Sequence, residues 1–295
     1  MRDQLGGAWA PILTPFDREL HLDLGALRAH VAWLRARGIE GLVACGSNGE
    51  FASLSTTEKL RLLETLADVR GELALVAGIA GTSFGEALEL GAAARELGCD
   101  ALLVLPPLYP RKLEPEGLRR FFGRTLDHAA LPALLYHLPQ GSGVALDALL
   151  DAAADHPLAV GIKDSSGDPA ALPRIRERFA RAKVFLGGDG RILEGLRAGA
   201  VGSITAAANC VPELVRAIYD AFRAGDLARA EREQARLSRV RGAMEAHVLP
   251  AAAKALLRAR GLDVGGVRLP LLDLGASAAD ELARVATAVL PPGDA

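Results

Sequence analysis

The sequence predicts an α/β protein built as a closed (β/α)8 barrel of the TIM type, followed by a helical extension. Three observations lead to this prediction. Short runs rich in Val, Ile, Leu and Ala recur at intervals of about 25 residues. A stretch with helical apolar spacing follows each run. An open doubly wound sheet would carry a glycine-rich phosphate-binding turn after its first strand, and this sequence has none there. Eight such repeats favour closure into a barrel.

The predicted strands are short and apolar. They cover Ala8–Thr14, Gly41–Cys45, Leu73–Ala77, Ala101–Leu105, Ala133–Tyr136, Ala159–Lys163, Lys183–Gly187 and Val201–Ile204. Helices are predicted between them, for example over Thr57–Arg70, Phe84–Leu97, Leu118–His128 and Pro212–Ala224. Residues 1–225 therefore form the predicted barrel domain.

Residues 226–295 are predicted to form a second, helical domain. Its helical segments, Asp226–Arg260 and Ala276–Leu290, are rich in Arg, Ala and Leu, and Gly261–Gly275 joins them. We expect this domain to serve scaffolding or assembly more than chemistry.

Composition indicates a globular enzyme of a reducing compartment. A net charge of -2 gives no excess of positive charge that would indicate binding to nucleic acid or to a membrane surface. The three cysteines, Cys45, Cys99 and Cys210, are widely spaced, so neither a disulfide framework nor a metal site is indicated. The N-terminus lacks the apolar core of a signal peptide, and no apolar run is long enough to cross a bilayer. We therefore expect a cytoplasmic protein.

Lys163 is the most informative residue of the chain. Arginine supplies most of the positive charge, and the other four lysines, Lys59, Lys112, Lys183 and Lys254, have ordinary explanations in helices, in a loop or at the start of a strand. Lys163 instead ends the sixth predicted strand, on the face where such barrels carry their active sites. An amine in that position could attack a ketone as arginine cannot.

Polar residues follow several other predicted strands. They are Gly46–Glu50, Pro106–Pro110, Tyr136 with His137, Gly187–Asp189 and Thr205–Asn209. In a barrel the C-terminal ends of all strands share one mouth, so these groups should meet near Lys163. His137 should face away from Tyr136 on a regular strand, which favours a structural role.

These groups suit Schiff-base chemistry. A protonated imine on Lys163 would act as an electron sink, while Tyr136 moves protons on the substrate oxygens. The Ser47 hydroxyl, the Asn48 amide and the backbone N–H groups beside them would cradle the carboxylate of a 2-oxo acid. Taken singly, each residue also fits a plain structural role, such as a solvated strand end, a half-buried aromatic or a loop. Their coincidence on neighbouring strands favours catalysis.

These motifs resemble those of the pyruvate-dependent class I aldolases that include dihydrodipicolinate synthase and N-acetylneuraminate lyase. The similar segments are Pro15-Phe16, Gly46–Glu50, Tyr136-x-x-Pro139, Gly161–Asp164, Gly199–Gly202 and Asn209. The resemblance implies a barrel with a C-terminal helical domain, Lys163 as the Schiff-base residue and Tyr136 as the acid/base.

The resemblance also implies further roles. Ser47 and Tyr109 would relay protons with Tyr136, and Tyr109 would come from a neighbouring subunit of a homotetramer arranged as a dimer of dimers. The backbone carbonyl of Ile204 would line the site. Pyruvate would be the 2-oxo acid, and no metal or organic cofactor is called for.

Departures from the family pattern bear on the substrate. Gly141 stands where dihydrodipicolinate synthases carry an arginine, Ser47-Asn48 replaces their paired threonines, and Leu108 replaces a tyrosine of lysine-regulated members. Sialic acid lyases have an acidic pair where this chain has Asp189 followed by Gly190. The arginine's absence argues against aspartate semialdehyde as the partner.

The form Gly-Ser-Asn-Gly-Glu-Phe is most similar to the 4-hydroxy-2-oxoglutarate aldolases. We therefore expect cleavage of that acid into pyruvate and glyoxylate, with Arg191 as either a partner of the distal carboxylate or a surface charge. The further expected substrate contacts are Gly188, Asp189 and Ser165 or Ser166. The alternatives are a dihydrodipicolinate synthase, a 2-keto-3-deoxy sugar acid aldolase or dehydratase, and a catalytically silent metabolite-binding barrel.

Overall fold

The computed structural model describes residues 5–80, 83–110 and 112–290, and across them it confirms the predicted barrel. Its parallel strands are β1 (Gly7–Pro11), β2 (Gly41–Ala44), β3 (Ala74–Ile79), β4 (Ala101–Val104), β5 (Ala133–His137), β6 (Ala159–Asp164), β7 (Lys183–Leu186) and β8 (Gly202–Ile204). Each strand pairs with the next along the chain, and β8 pairs with β1 to close the barrel.

Helices alternate with the strands and surround the barrel. Those that belong to the repeats are α1 (Leu24–Ala36), α2 (Thr56–Val69), α3 (Phe84–Glu96), α4 (Pro115–Ala129), α5 (Pro139–Ser142), α6 (Leu146–Ala153), α7 (Ala171–Arg178), α8 (Ile192–Arg197) and α9 (Pro212–Arg223). Local signals set their ends: the Ser55 hydroxyl and the Glu58 carboxylate form a capping box at the start of α2.

Inside the barrel, large aromatic rings pack against glycines. The rings of Trp9 and Phe185 lie 4.5 Å apart between their centroids. A Cβ atom on Gly41 would lie 2.7 Å from the Trp9 ring, so only glycine fits opposite it. Ser203, next to Gly202, points outward and accepts a hydrogen bond from Tyr219 of α9. The interior is therefore a solid core that supports the strand ends above it.

Up to residue 290, where the described part of the chain ends, three helices follow the barrel repeats: α10 (Leu227–Glu245), α11 (Leu249–Ala259) and α12 (Ala276–Thr287). The predicted helical segment Asp226–Arg260 is thus two helices, because the chain turns before α11 and Pro250 occupies the first turn of that helix. The assignment of residues 226–295 to a separate domain stays a prediction. No described helix is both long and apolar enough to span a membrane.

The C-terminal helices reach the mouth of the barrel. α10 packs against α9 and against the turn Asp189–Arg191 that follows β7. α11 packs against the turns Ser47–Gly49 and Ala206–Asn209, which follow β2 and β8. Both helices therefore lie beside the strand ends at which the candidate residues gather.

Candidate active site

Tyr136 and Lys163 face each other on neighbouring strands. They are register partners of β5 and β6, and the Lys163 Nζ atom lies 4.3 Å from the centroid of the Tyr136 ring. Both side chains are buried, with 5% of Tyr136 and 4% of Lys163 exposed. The amine and the phenol therefore share one enclosed space at the C-terminal end of the barrel.

The Tyr136 hydroxyl lies among the polar groups of Ser47, Ser165 and Lys163, which all act on its pKa. Burial is the largest influence on its pKa and by itself would raise it. The positive charge of Lys163 and the polar interactions with Ser47, Ser165 and Lys163 outweigh burial, so the pKa of Tyr136 lies below its usual value of 10. A phenol of this kind gives up and retakes a proton more readily than an isolated one.

The Ser47–Gly49 turn brings the predicted carboxylate cradle to this cluster. A Cβ atom on Gly49 would lie 2.8 Å from the carbonyl oxygen of Ile12, so the turn needs glycine there. The Thr14 hydroxyl donates to the Gly49 carbonyl oxygen at 2.7 Å and ties the turn to the chain after β1. The buried Asn48 Oδ1 atom has no hydrogen-bond partner among the described residues, which is unusual for a buried polar group.

Two other expected contacts lie at the same mouth. Ile204 is buried at the end of β8. At Gly188, no atom outside the neighbouring residues lies within 4 Å of the position that a Cβ atom would occupy. Their contacts with a substrate stay predictions.

His137 and Asp164 occupy the opposite face of the same two strands. They too are register partners, and the His137 Nδ1 atom lies 2.7 Å from Asp164 Oδ1. The same carboxylate oxygen accepts the Ser166 N–H at 3.1 Å, and the His137 carbonyl accepts the Ser165 N–H at 2.9 Å. This pair holds the turn that carries Ser165, which agrees with the structural role predicted for His137.

A cavity of about 360 Å³ opens beside Ser165, between the loops after β6 and β7 and helix α10. Its polar side chains include Gln140, Asp164, Ser165, Ser166, Arg191, Arg241 and Glu245. Because Ser165 contacts both the Tyr136 hydroxyl and this cavity, the cavity is well placed for the distal part of a substrate.

Asp189 was expected to bind substrate hydroxyls, and the structure gives its carboxylate other partners. The side chain is fully buried. Its Oδ1 accepts the Ala207 N–H at 3.1 Å, and its Oδ2 accepts from Arg241 Nη1 at 2.8 Å. The Asp189 carboxylate therefore positions Arg241, whose Nε donates to Glu245 at 2.8 Å.

Two further residues of this cavity, Arg241 and Glu245, carry no signal in the sequence that marks them for a site. Both lie on α10, in the region interpreted as scaffolding, and neither belongs to a recognisable motif. Helical spacing alone places Glu245 one turn after Arg241, which is the only local sign that the two side chains meet.

Arg191 is already paired within its own turn. Its Nε and Nη2 atoms donate to the two carboxylate oxygens of Glu194 at 2.9 and 2.5 Å, and its Nη1 donates to the Gly167 carbonyl oxygen at 2.9 Å. The structure therefore does not present it as a free cation for a distal carboxylate.

Tyr109 stands apart from the cluster. It lies in the loop after β4, with 87% of its surface exposed, and it is not among the hydrogen-bond partners of Tyr136 within this chain. A tyrosine so exposed is unusual, because burial of its ring would be favourable.

A buried lysine beside a buried tyrosine at the C-terminal mouth of a (β/α)8 barrel defines an aldolase site of the Schiff-base class. Comparison with known proteins supports this class. A family model described as the dihydrodipicolinate synthetase family matches residues 4–289. An uncharacterised DapA-like lyase of Chloroflexus aurantiacus is 37% identical over 91% of this chain and 91% of its own length.

Two further relatives extend the likeness. The 4-hydroxy-tetrahydrodipicolinate synthase of Methanoculleus marisnigri is 35% identical over 95% of this chain and 97% of its own. The solved dihydrodipicolinate synthase DapA-2 of Bacillus anthracis superimposes with a TM-score of 0.91 at 29% identity, covering 97% of this chain and 99% of that one. The chain belongs to the dihydrodipicolinate synthetase family. It is accordingly a lyase of the pyruvate-dependent class I aldolase type, which works through a lysine Schiff base.

Proposed function

We propose that the protein cleaves or forms 4-hydroxy-2-oxo acids, with Lys163 as the Schiff-base residue and Tyr136 as the acid/base. The shared burial of Lys163 and Tyr136, with the Lys163 Nζ atom 4.3 Å from the centroid of the Tyr136 ring, carries this proposal. In cleavage, the Lys163 amine adds to C2 and water leaves, which gives a protonated imine. Tyr136 removes the proton of the C4 hydroxyl, and the C3–C4 bond breaks.

The products follow from the electron balance. The C3–C4 electron pair enters the imine as an enamine, and C4 leaves as an aldehyde. Protonation at C3 and hydrolysis of the imine then release pyruvate and restore the amine. In this mechanism Ser47 and Asn48 hold the C1 carboxylate, and Ser165 returns protons to Tyr136. Ile204 and Gly188 would complete the walls around the imine.

The charge balance of the cavity favours an uncharged, hydroxylated aldehyde. Arg191 is paired with Glu194, and Arg241 is paired with Asp189 and Glu245. A ligand carboxylate would have to compete with these carboxylates, whereas hydroxyl groups can share them. We therefore place 2-keto-3-deoxy sugar acids first among the substrates.

4-Hydroxy-2-oxoglutarate is the second candidate. The loop form Gly-Ser-Asn-Gly-Glu-Phe supports it, but its distal carboxylate lacks the partner expected in Arg191. Aspartate semialdehyde comes third, although curated relatives are named for the synthase that uses it. Gly141 stands where the family carries that arginine, and a Cβ there would already lie 3.0 Å from the Leu138 side chain.

A two-stage experiment tests this proposal. Pyruvate and sodium borohydride should together leave a covalent adduct on Lys163, read by peptide mass spectrometry, and Lys163→Arg should leave none. Glyceraldehyde, glyoxylate and aspartate semialdehyde are then each offered with pyruvate. The highest kcat/KM is expected for glyceraldehyde. Absence of an adduct would reject the mechanism, and preference for either other aldehyde would reject the substrate ranking alone.

We further propose that Tyr109 completes the proton relay of a neighbouring subunit in a homotetramer. Its 87% exposure and its place in a loop beside the barrel mouth support a partner outside this chain.

A further inference from the structure

The last residue of the Gly46–Glu50 loop has no role in the mechanism above, yet it is among the most enclosed charges of the protein. Glu50 is 4% exposed and adopts a left-handed backbone conformation with φ of +54°. Its Oε1 accepts a hydrogen bond from Lys254 Nζ at 2.7 Å, and its Oε2 accepts from the Arg268 backbone N–H at 2.9 Å. The carboxylate is therefore held entirely by the C-terminal region.

Lys254 is itself fixed in place. It lies on α11 with 1% of its surface exposed, and its Nζ donates to the Gly266 carbonyl oxygen at 2.6 Å. The same atom lies 4.4 Å from the centroid of the Phe16 ring. With these contacts the ammonium has little freedom to follow a shift of Glu50.

The loop is held from both sides. Thr14 binds the Gly49 carbonyl oxygen on one side, and Lys254 binds the Glu50 carboxylate on the other. Ser47, within the same turn, interacts with the Tyr136 hydroxyl. A displacement of Glu50 would therefore move the Ser47–Asn48 cradle relative to Lys163.

We propose that Lys254 is a positioning residue for the pyruvate cradle, acting through Glu50 on Ser47 and Asn48. The inference rests on the proposed function, since it assigns the cradle to the carboxylate of pyruvate. It also gives α11 a part in catalysis, beyond scaffolding.

The chain offers a matched control in a second buried pair. Lys59 and Glu86 also lie 2.7 Å apart, with side chains 4% and 10% exposed. They join α2 to α3 and make no hydrogen bond to the Ser47–Gly49 turn. Loss of this pair should cost stability without a specific effect on pyruvate.

The experiment compares Lys254→Met with Lys59→Met. For each, borohydride trapping at graded pyruvate concentrations gives the half-saturating concentration, and thermal unfolding gives Tm. Both variants should lose Tm, but only Lys254→Met should raise the half-saturating pyruvate concentration, by about tenfold. Lys254→Arg, which keeps the charge, should recover part of that loss.

A second variant covers the case in which Lys254→Met does not fold. In Glu50→Gln/Lys254→Met no buried charge is left without a partner, so folding should be retained. This double variant should still bind pyruvate more weakly than wild type, because the ion pair between Lys254 and Glu50 is absent. A half-saturating pyruvate concentration within twofold of wild type in folded Lys254→Met, or in folded Glu50→Gln/Lys254→Met, would overturn the inference. If wild type itself forms no adduct, the proposed function fails instead.

Discussion

The Lys163 amine lies over the Tyr136 ring, with Nζ 4.3 Å from its centroid, because the two residues are register partners on adjacent parallel strands. Strand pairing therefore sets their separation, without the help of a flexible loop. The neighbouring register pair, His137 and Asp164, points to the other side and anchors the turn that carries Ser165. One pair of strands thus supplies both the reacting groups and their support.

The Tyr136 phenol should titrate below its usual range, and Lys163 should be one cause. The chain has only three tyrosines, Tyr109, Tyr136 and Tyr219, and burial raises the pKa of Tyr219. Ultraviolet titration of tyrosinate should show a transition below pH 10 that Tyr136→Phe removes. In Lys163→Met the transition should move to higher pH, because burial raises the pKa of Tyr136 and the positive charge of Lys163 no longer lowers it.

The control for this titration is Tyr109→Phe, which should keep the low transition. An unchanged lowest transition in Lys163→Met would contradict the coupling of the two side chains.

Gly187 should be required for the position of Ser165. A Cβ atom there would overlap the Ser165 Oγ atom and lie 3.0 Å from the Asp164 carbonyl oxygen. Gly187→Ala should displace Ser165 from Tyr136 and lower kcat about 10- to 100-fold, with a smaller change in KM for pyruvate. Steady-state kinetics and comparison with Ser165→Ala measure the effect.

Gly123→Ala on α4 is the matched control, because nothing lies within 4 Å of the added Cβ. It should leave kcat at the wild-type value. A Gly187→Ala enzyme with kcat within twofold of wild type would refute the role of Ser165 in the relay.

The barrel and the central residues could be predicted because their signals are local. Apolar runs mark the strands, and Lys163 and Tyr136 end two of them, so topology brings both to one mouth. The family resemblance added the relay roles of Ser47 and Tyr109, which no local pattern indicates.

The contacts made by the C-terminal helices could not be predicted in this way. Asp189 and Arg241 are 52 positions apart, and Glu50 and Lys254 are 204 apart. Each pairing depends on how a helix packs across the barrel mouth, which apolar periodicity does not define. For this reason no local pattern distinguishes Lys254 from an ordinary helix residue or indicates Arg241 as the partner of Asp189.

His30 should make the fold sensitive to acid. Burial lowers its pKa to about 4, against a small opposing effect of its hydrogen bond to the Asn209 carbonyl. The unfolded chain then binds the proton more strongly, so stability is full above about pH 6.5 and falls as the pH drops to about 4, by about 3 kcal/mol. Urea unfolding between pH 4 and pH 7.5 measures this loss.

The variant His30→Gln can still donate to Asn209 and has no proton to gain, so its stability should fall less over that interval. His128→Gln, at an exposed position on α4, should keep the wild-type pH dependence. Equal acid sensitivity of His30→Gln and wild type would show that other groups cause it.

Subunit mixing should reveal whether Tyr109 acts in a neighbouring site. Tyr109→Phe alone should lower kcat about 100-fold, and Lys163→Met should abolish activity. When the two variants are unfolded, mixed and refolded together, a hybrid pair contains one site with Lys163 from one subunit and Tyr109 from the other. Random pairing in equal amounts should then restore about a quarter of the wild-type activity. Analytical ultracentrifugation of the mixture, with each variant refolded alone as control, checks that assembly is intact. If the mixture forms the same oligomer and shows only the sum of the two separate activities, Tyr109 does not serve its neighbour, and its exposure needs another explanation.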